Sequence, residues 1–184
     1  MIVYQFCSSV NESNLYLVID EESREALVID MPEWCDGLTN AINDNSAKVK
    51  GIFITHSHYD HNSGLNYLPN QFKSLPLYPS KKFFQNKNTD NLITLGNYEG
   101  RILPLPGHTD DSVGLYFPSA GILFTGDALF AGSVGGTYTE TNSQTQLEAI
   151  KNQILVLPED TLVFPGHGPV TSVGIEKKHN PFLK

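Results

Sequence analysis

The sequence predicts a mixed α/β domain in which strands come first and then alternate with helices. Short apolar runs rich in β-branched and aromatic residues recur along the chain, and segments with apolar residues at helical spacing separate some of them. With 184 residues, of which 40% are hydrophobic, the chain is long enough to bury a core. We therefore expect a single domain over residues 1–184.

The predicted strands are the apolar runs at residues 2–6, 15–19, 26–29, 51–54, 75–78, 93–95, 101–105, 113–117, 122–125 and 161–164. Helices are predicted at 34–44, 62–68 and 144–155, and the chain closes with a helix-like tail. The polar turn at 20–25 predicts a hairpin. The polar segment 80–91 predicts a connection or a lid.

Composition excludes several classes of function. A formal net charge of −8 and a pI near 5.1 argue against a phosphate-binding surface, so we expect no nucleic-acid partner. No apolar run approaches the ~18 residues that span a bilayer, and the opening "MIVYQF" lacks the features of a signal peptide. Cys7 and Cys35 are too few for a disulfide framework. We expect both to be buried in a protein of the reducing cytoplasm.

Candidate ligands recur immediately after apolar strands. The stretch "THSHYDH" follows the strand at 51–54, and single His or Asp residues follow three later strands. The resulting set is His56, His58, Asp60, His61, His108, Asp127 and His167. Strand ends that lie at one edge of a sheet bring such residues together.

The crowding of these side chains indicates a metal site. One His at a strand end is usually a loop residue, but several imidazoles held together without a metal repel one another when protonated. A cation removes that cost. Seven ligand-type side chains exceed the four of a closed structural zinc site, which favours two metals. Gly107, Gly126, Gly166 and Gly168 flank the later candidates and predict sharp turns or close backbone approach there.

Four motifs carry a resemblance to a known family. "THSHYDH", "PGHT", "TGDALF" and "FPGHGP" resemble the metal-binding motifs of the metallo-β-lactamase superfamily, and the closing "GHGPVTSVGIEKKHNPFL" is similar to the tail of its small glyoxalase II-like hydrolases. The resemblance covers essentially the whole chain. It implies a four-layer αββα sandwich of the α/β (α+β) class with the site at one edge of two packed sheets.

The resemblance also implies a ligand assignment and two divalent ions, zinc in the first place, with iron and manganese as alternatives. One metal takes His56, His58 and His108, the second takes Asp60, His61 and His167, and Asp127 bridges them. Asp127 and Asp60 are the expected catalytic carboxylates, and Tyr138 matches a tyrosine expected to bind substrate. We also expect Asp30, at the end of "ALVID", to accept a hydrogen bond from a ligand imidazole or from the backbone.

This chemistry suits the hydrolysis of a small thioester. Two close cations lower the pKa of a shared water from about 15.7 towards 7, and a thiolate with a thiol pKa of roughly 8.5 leaves without a proton. The chain departs from glutathione-using relatives, however. Gly136 stands where a Lys or Arg is usual, the sequence ends at Lys184 without their helical C-terminal domain, and Asp110 and Asp111 add negative charge near the mouth.

Three alternatives stay open at this point. A persulfide dioxygenase would use one iron on His56, His108 and Asp127. A β-lactamase is disfavoured because those relatives are secreted and usually carry Cys at the position of Asp127. A non-catalytic metal-bearing scaffold has no need of an open, bridged position. The sequence leaves the acyl group, the thiol, the metal in the cell and the oligomeric state undetermined.

Overall fold

The computed structural model describes residues 1–79 and 91–184, which form two β-sheets with helices on their outer faces. The first sheet consists of β1 (Ile2–Cys7), β2 (Asn14–Ile19), β3 (Glu25–Ile29), β4 (Lys48–Phe53) and β5 (Leu77–Tyr78), in that spatial order. The first three strands form an antiparallel meander, which confirms the predicted hairpin at 20–25. Strands β4 and β5 extend the sheet in parallel.

The second sheet consists of β6 (Leu92–Leu95), β7 (Tyr98–Pro104), β8 (Val113–Phe117), β9 (Ile122–Gly126), β12 (Leu162–Pro165) and β13 (Thr171–Ser172). Its spatial order is β13-β12-β9-β8-β7-β6, and β9 and β12 run parallel. A separate small hairpin lies between them in sequence and is formed by β10 (Leu129–Phe130) and β11 (Ser133–Val134).

The α-helices of the described residues are α1 (Asp36–Asp44), α2 (Tyr59–Asn62), α3 (Glu140–Ala149) and α4 (Val173–His179). A π-helical turn at Ile150–Ile154 continues α3. Hydroxyl groups cap two of these helices. Thr139 Oγ1 accepts from Asn142 N at the start of α3, and Ser172 Oγ accepts from Ile175 N at the start of α4. Short 3₁₀ turns lie at Ser63–Tyr67, Asn70–Phe72, Pro118–Ala120 and Pro181–Leu183.

Three apolar clusters separate four layers. The central cluster lies between the two sheets and includes Tyr16 and Phe124. A second cluster packs α1, through Leu38, against the outer face of the first sheet. The third packs Ile150 and Val173 against the outer face of the second sheet. The layer order is helix, sheet, sheet, helix, which confirms the predicted αββα sandwich.

The residue pattern of β2 shows why the first sheet is an inner layer. Leu15, Leu17 and Ile19 point to the α1 side, whereas Tyr16 and Val18 point to the cluster between the sheets. Successive side chains of a strand alternate between faces, so a strand that is apolar on both must be covered on both. All five side chains are buried.

Main-chain hydrogen bonds join the two sheets at one end. Val113 N donates to Thr55 O at 2.9 Å, and Asn14 N donates to Gly166 O at 2.7 Å. These bonds connect the loop after β4 to β8, and the start of β2 to the loop after β12. They hold the strand ends that precede the candidate ligands next to one another.

Several predicted element boundaries are wrong. The helix predicted at 34–44 begins at Asp36. In place of a helix at 62–68, α2 begins at Tyr59 and a 3₁₀ turn follows at Ser63–Tyr67. The helix predicted at 144–155 begins at Glu140, four residues early, because Thr139 caps it. Of the predicted connection or lid at 80–91, residues 80–90 lie outside the described residues.

The prediction that both cysteines are buried is also wrong. Cys7 is exposed and Cys35 is partly exposed. Cys7 ends the edge strand β1, where one side of the strand has no neighbour within the sheet. Within the described parts of the chain, no helix combines the length and the apolar character needed to cross a membrane.

Candidate metal centre

The predicted ligand residues lie together at the edge where the two sheets are joined. Three sets of residues have all their donor atoms within 4.8 Å of one another. The first ligand group is His56, His58 and His108, and the second ligand group is Asp60, His61 and His167. The third set combines His56 and His61 with Asp127. The four segments that carry these residues therefore meet at this edge. One local detail differs, because Asp60 and His61 lie on the short helix α2 and not in a loop.

The first group brings three imidazole nitrogens into contact. His58 Nδ1 lies 2.9 Å from His108 Nε2 and 3.1 Å from His56 Nε2. His108 Nδ1 donates to Gly136 O at 2.7 Å, and His56 Nδ1 donates to Thr55 Oγ1 at 3.1 Å, since that hydroxyl gives its own proton to another acceptor. In neutral rings both Nε2 atoms therefore carry lone pairs. His58 has at most one Nδ1 proton and satisfies only one of them.

The second group has one buried and two partly exposed members. The His61 side chain is 0% exposed, whereas those of His167 and Asp60 are 25% and 16% exposed. His167 Nε2 lies 3.5 Å from Asp60 Oδ2. His61 Nδ1 bonds to Asp30 Oδ2 at 2.8 Å, which leaves His61 Nε2 directed towards this group. The second group is thus open to solvent on the side of His167.

Asp127 lies between the two groups. Its Oδ1 is 3.2 Å from His61 Nε2. Its Oδ2 is 3.5 Å from His108 Nε2, 3.5 Å from His167 Nε2 and 4.0 Å from His56 Nε2. One carboxylate therefore faces imidazoles from both groups.

Two buried polar atoms of the site have no hydrogen-bond partner, and their arrangement is suited to bind positive charge. His61 Nε2 and Asp127 Oδ1 are buried, and neither makes a hydrogen bond although they are 3.2 Å apart. A proton or a metal ion can lie between them. In the absence of metal, burial lowers the pKa of His61, but Asp30 and Asp127 outweigh it and raise that pKa to about 10. The set of imidazole nitrogens and carboxylate oxygens fits a divalent transition metal.

His56 is prepared to act as a neutral ligand. Burial, together with the charge of His61, lowers its pKa to about 4. Burial opposes ionisation of Asp127, yet the nearby imidazoles of His167 and His61 outweigh it and hold the pKa of Asp127 far below the usual range. Imidazole binds metals through an unprotonated nitrogen, and carboxylate binds them ionised. The His56 imidazole and the Asp127 carboxylate therefore both have the protonation state that metal binding requires.

Asp30 holds residues of the site in position through hydrogen bonds. Its Oδ2 bonds to His61 Nδ1 and to Thr55 Oγ1, and its Oδ1 accepts from Thr55 N at 2.7 Å. Through Thr55 it also fixes the ring of His56. Asp30 has φ 56, a left-handed conformation that costs energy in a non-glycine residue and that the surrounding bonds must hold. The predicted contacts of Asp30 with an imidazole and with the backbone are confirmed.

Two of the glycines at which close backbone approach is predicted leave room for the site. A Cβ atom on Gly166 would lie 2.0 Å from Asp127 Oδ1. Gly126 has φ 50, and a Cβ there would lie 2.5 Å from Thr55 Oγ1. Any side chain at either position would displace a residue of the site.

A pocket of about 320 Å³ opens beside His58 and His108. Gly136, Thr137 and Tyr138 complete its lining, and the Tyr138 side chain is 88% exposed. This places the predicted substrate-binding residue Tyr138 at the mouth of the site. The pocket is wide enough for a small acyl or thiol group.

The two extra carboxylates near the mouth behave differently from each other. Asp111 Oδ1 accepts hydrogen bonds from Thr109 Oγ1 at 2.7 Å and from Ser57 Oγ at 3.3 Å, so it stabilises its own turn. Asp110 is exposed. Hydroxyl donors do not neutralise a carboxylate, so both residues add negative charge near the mouth.

Sequence reasoning missed two residues that contact the site. Thr55 stands inside "THSHYDH", but only its position between Asp30 and His56 reveals its part in the hydrogen-bond chain. Asn11 donates to Asp60 Oδ2 at 2.6 Å. No local sequence signal indicates this contact, because Asn11 belongs to a distant loop of polar residues.

Comparison with known proteins identifies the family. The model of the metallo-beta-lactamase superfamily matches residues 9–90 and 85–167. The chain belongs to this superfamily. Members of this metallo-beta-lactamase superfamily bind metal ions, which agrees with the clustered His and Asp side chains described above.

Characterised relatives within the superfamily include hydrolases. The chain is 28% identical to the hydroxyacylglutathione hydrolase GloC of Haemophilus influenzae, over 94% of this chain and 93% of that protein. It is 33% identical to a hydroxyacylglutathione hydrolase of Dictyostelium discoideum, over 86% of this chain but only 63% of that protein.

Solved structures of the same fold include three with more than 25% sequence identity. The BLEG-1 B3 metallo-beta-lactamase is 28% identical with a TM-score of 0.86, and the match covers 100% of both chains. ETHE1 from Myxococcus xanthus is 26% identical with a TM-score of 0.78, over 98% of this chain and 84% of the other. TTHA1623 in a di-iron-bound form is 26% identical with a TM-score of 0.77, over 98% and 100%.

Proposed function

We propose that the protein is a binuclear metal-dependent hydrolase of small thioesters. The observation that carries this proposal is the position of Asp127, whose Oδ2 lies within 3.5–4.0 Å of imidazole nitrogens from both ligand groups. A carboxylate so placed is suited to be shared by two cations. A single structural metal needs no such second group.

The assignment follows the two groups around Asp127. His56, His58 and His108 would hold one cation, Asp60, His61 and His167 the other, and Asp127 both. Bound there, two divalent cations supply Lewis acidity and lower the pKa of water at the site. Zinc fits the donors, and iron and manganese are the alternatives.

The chain's own residues then orient the reactants. Asp127 Oδ2 faces the space between both groups and can accept a hydrogen bond from the attacking water, directing a lone pair towards the carbonyl carbon. Asp60 is positioned for the same task from the solvent side. Tyr138 lies at the pocket mouth, where the acyl or thiol group enters. The water oxygen forms a C–O bond with the carbonyl carbon and its proton passes to a carboxylate of the site or to solvent. The C–S bond then breaks, and the thiolate leaves without a dedicated acid because the pKa of a thiol is roughly 8.5.

Glutathione is one candidate thiol. GloC, which this chain matches over 93% of that protein's length, carries the name hydroxyacylglutathione hydrolase, so a C-terminal extension is no requirement for that name. Gly136 in the pocket lining still argues for weak recognition, because the backbone there offers no positive charge to the glutathione carboxylates. The proposal is therefore a small-thioester hydrolase with loose selection of the thiol.

A persulfide dioxygenase with one iron is the second candidate. It is supported by the likeness to ETHE1 and by the proximity of Asp127 Oδ2 to His56 Nε2 and His108 Nε2. The likeness to BLEG-1 makes a β-lactam a further substrate to be assayed.

Reconstitution with zinc as the only metallic element tests the proposal. Protein stripped of metal and loaded with zinc should bind two ions per chain and hydrolyse a thioester under strict anaerobiosis, with a rate that rises with pH around ~7. Zinc is redox-inert and cannot support a dioxygenase. Oxygen uptake with glutathione persulfide should stay at background even after ferrous iron is loaded. Iron-dependent oxygen consumption without zinc-supported thioester cleavage would favour the persulfide dioxygenase instead. Cleavage of a β-lactam that is faster than cleavage of a thioester would favour a β-lactamase.

A further inference from the structure

The loop between β1 and β2, residues 8–13, reaches the second ligand group. Asn11 Nδ2 donates to Asp60 Oδ2 at 2.6 Å. This is the same oxygen that lies 3.5 Å from His167 Nε2. We call this segment the first hairpin loop. None of the roles assigned above involves it.

The loop has a backbone that its surroundings must hold in place. Asn11 and Glu12 both have φ 55, a left-handed conformation that costs energy in non-glycine residues. At the other end of the loop, Ser8 Oγ and Ser9 N donate to Glu33 Oε1 at 2.8 and 2.6 Å. Glu33 thus anchors the loop while Asn11 extends to Asp60. Strained backbone of this kind persists where a particular side-chain position is required.

The same segment also fixes His167. Ser13 forms a main-chain bridge with His167, and Asn14, the next residue, donates through Nδ2 to Pro165 O at 3.0 Å and Gly168 O at 2.9 Å. These carbonyls lie on both sides of His167 in the chain. Two members of one ligand group, Asp60 and His167, are therefore positioned by this loop and by Asn14, the residue that follows it.

Among the residues that the structure describes, the first hairpin loop makes no hydrogen bond to His56, His58 or His108. His56 is oriented by Thr55, and His108 by Gly136 O. Hydrogen bonds that fix the orientation of a ligand tune its affinity for metal. Resting on the proposed binuclear function, we infer that the first hairpin loop, through Asn11, sets the metal affinity of the Asp60–His61–His167 group independently of the His56–His58–His108 group. Asn11 is thus a positioning residue.

Zinc titration of the metal-free protein against a competing chelator tests this inference, with Asn11→Gly as the variant. Glycine removes the amide but accepts φ 55 without strain, so the loop conformation is retained. Weakening of one of the two zinc affinities by about 10- to 100-fold is expected, with the other unchanged. Glu12→Gly is the matched control. It relieves the same backbone strain in the same loop, and both affinities should match those of the unmodified protein.

The possible outcomes separate the inference from the function on which it rests. If the unmodified protein binds two zinc ions and Asn11→Gly leaves both affinities unchanged, or weakens both equally, the inference is overturned and the function stands. If the unmodified protein binds only one zinc, the binuclear function itself fails. Thermal unfolding of the metal-free variants should match that of the unmodified protein. A lowered Tm for Asn11→Gly alone would mean that Asn11 serves the fold.

Discussion

Asp127 differs from the other residues of the centre because its two oxygens face different partners. Oδ1 points to His61 Nε2, and Oδ2 faces His56, His108 and His167. Removing one negative charge at this point leaves several imidazoles without their common counter-charge.

Asp127→Asn should therefore lower thioester turnover by at least ~10²-fold without unfolding the protein. The amide keeps the shape of the side chain but cannot be shared between two cations as an anion. His179→Ala is the matched control, because His179 is exposed on α4 and lies outside the grouped donor atoms. Turnover near normal in Asp127→Asn, or activity abolished in a folded His179→Ala, would show that the ligand assignment is wrong.

Gly136 is predicted to limit recognition of glutathione. A Cβ atom at this position meets no atom within 4 Å, so a side chain can begin there without a clash. Each charge-assisted hydrogen bond to a glutathione carboxylate contributes about 1.5–3 kcal/mol, or roughly ten- to hundredfold in affinity. Steady-state kinetics should show a high KM for S-lactoylglutathione in the unmodified protein and a lower one in Gly136→Lys. Gln144→Lys on the exposed face of α3 adds the same charge elsewhere and should change nothing. A low KM before substitution would contradict the prediction.

The sequence predicts the ligand-type residues of the centre better than it predicts the groups that hold those residues in position. His and Asp residues after apolar strands are visible as a pattern, because ligand types are few and strands converge at one edge. Asn11 and Gly136 O are different. A polar loop residue and a backbone carbonyl carry no recognisable signal, and only the three-dimensional path of the chain brings them to Asp60 and His108.

Helix α4 holds the small β10–β11 hairpin in place, and the chain runs from this hairpin into the residues that line the pocket. Glu176 is buried and accepts hydrogen bonds from Gly132 N at 2.9 Å, Thr171 Oγ1 at 2.6 Å and Asn180 Nδ2 at 2.8 Å. Asn180 Nδ2 also donates to Ser133 O at 3.0 Å. The chain continues from this hairpin directly into the segment that lines the pocket.

Glu176→Ala should lower the free energy of unfolding by about 2–4 kcal/mol, because it leaves several buried donors without an acceptor. Urea unfolding of the metal-free protein measures this. Lys178→Ala on the exposed side of the same helix should stay within about 0.5 kcal/mol of the unmodified protein. Equal stability of the two variants would show that the Glu176 network contributes little.

Element boundaries were less predictable than element types. The four residues of α2 are too few to show helical periodicity, and His58 before them is extended with ψ 144. Sequence reasoning therefore extended the preceding loop through Asp60 and His61. By contrast, β2 and β3 were predicted correctly to within a residue, because strands that are apolar on both faces form unbroken apolar runs.

For the whole molecule, the centre acts as a link between the two sheets. His56, His58, Asp60 and His61 follow a strand of the first sheet, and His108, Asp127 and His167 follow strands of the second. A ligand that binds the folded state stabilises it by RT ln(1 + [L]/Kd), about 2.7 kcal/mol at 100 Kd. Metal bound across the interface should therefore stabilise the entire sandwich.

Addition of zinc to the metal-free protein should raise Tm by about 5–11 °C at 100 Kd, as followed by calorimetry. The rise should grow between pH 7 and pH 9. In the metal-free fold the pKa of His61 is raised from 6.5 to about 10. The stability that its proton contributes is therefore full below pH 6.5, falls as pH rises above that value and is lost above about pH 10, and metal must displace this proton. A Tm rise that is independent of pH would show that His61 gives up no proton when metal binds.

The main-chain hydrogen bond between Asn14 and Gly166 joins two distant parts of the sequence beside the centre. Asn14 N, near the start of the chain, pairs with Gly166 O, which emerges from the ribosome only after β12 has been made. Such long-range pairing forms late because the loop-closure entropy must be overcome first. A nascent chain made only as far as β9 holds the "THSHYDH" stretch but lacks both His167 and the partner of Asn14. The clustered His and Asp residues therefore come together only after both ends of the sandwich have met.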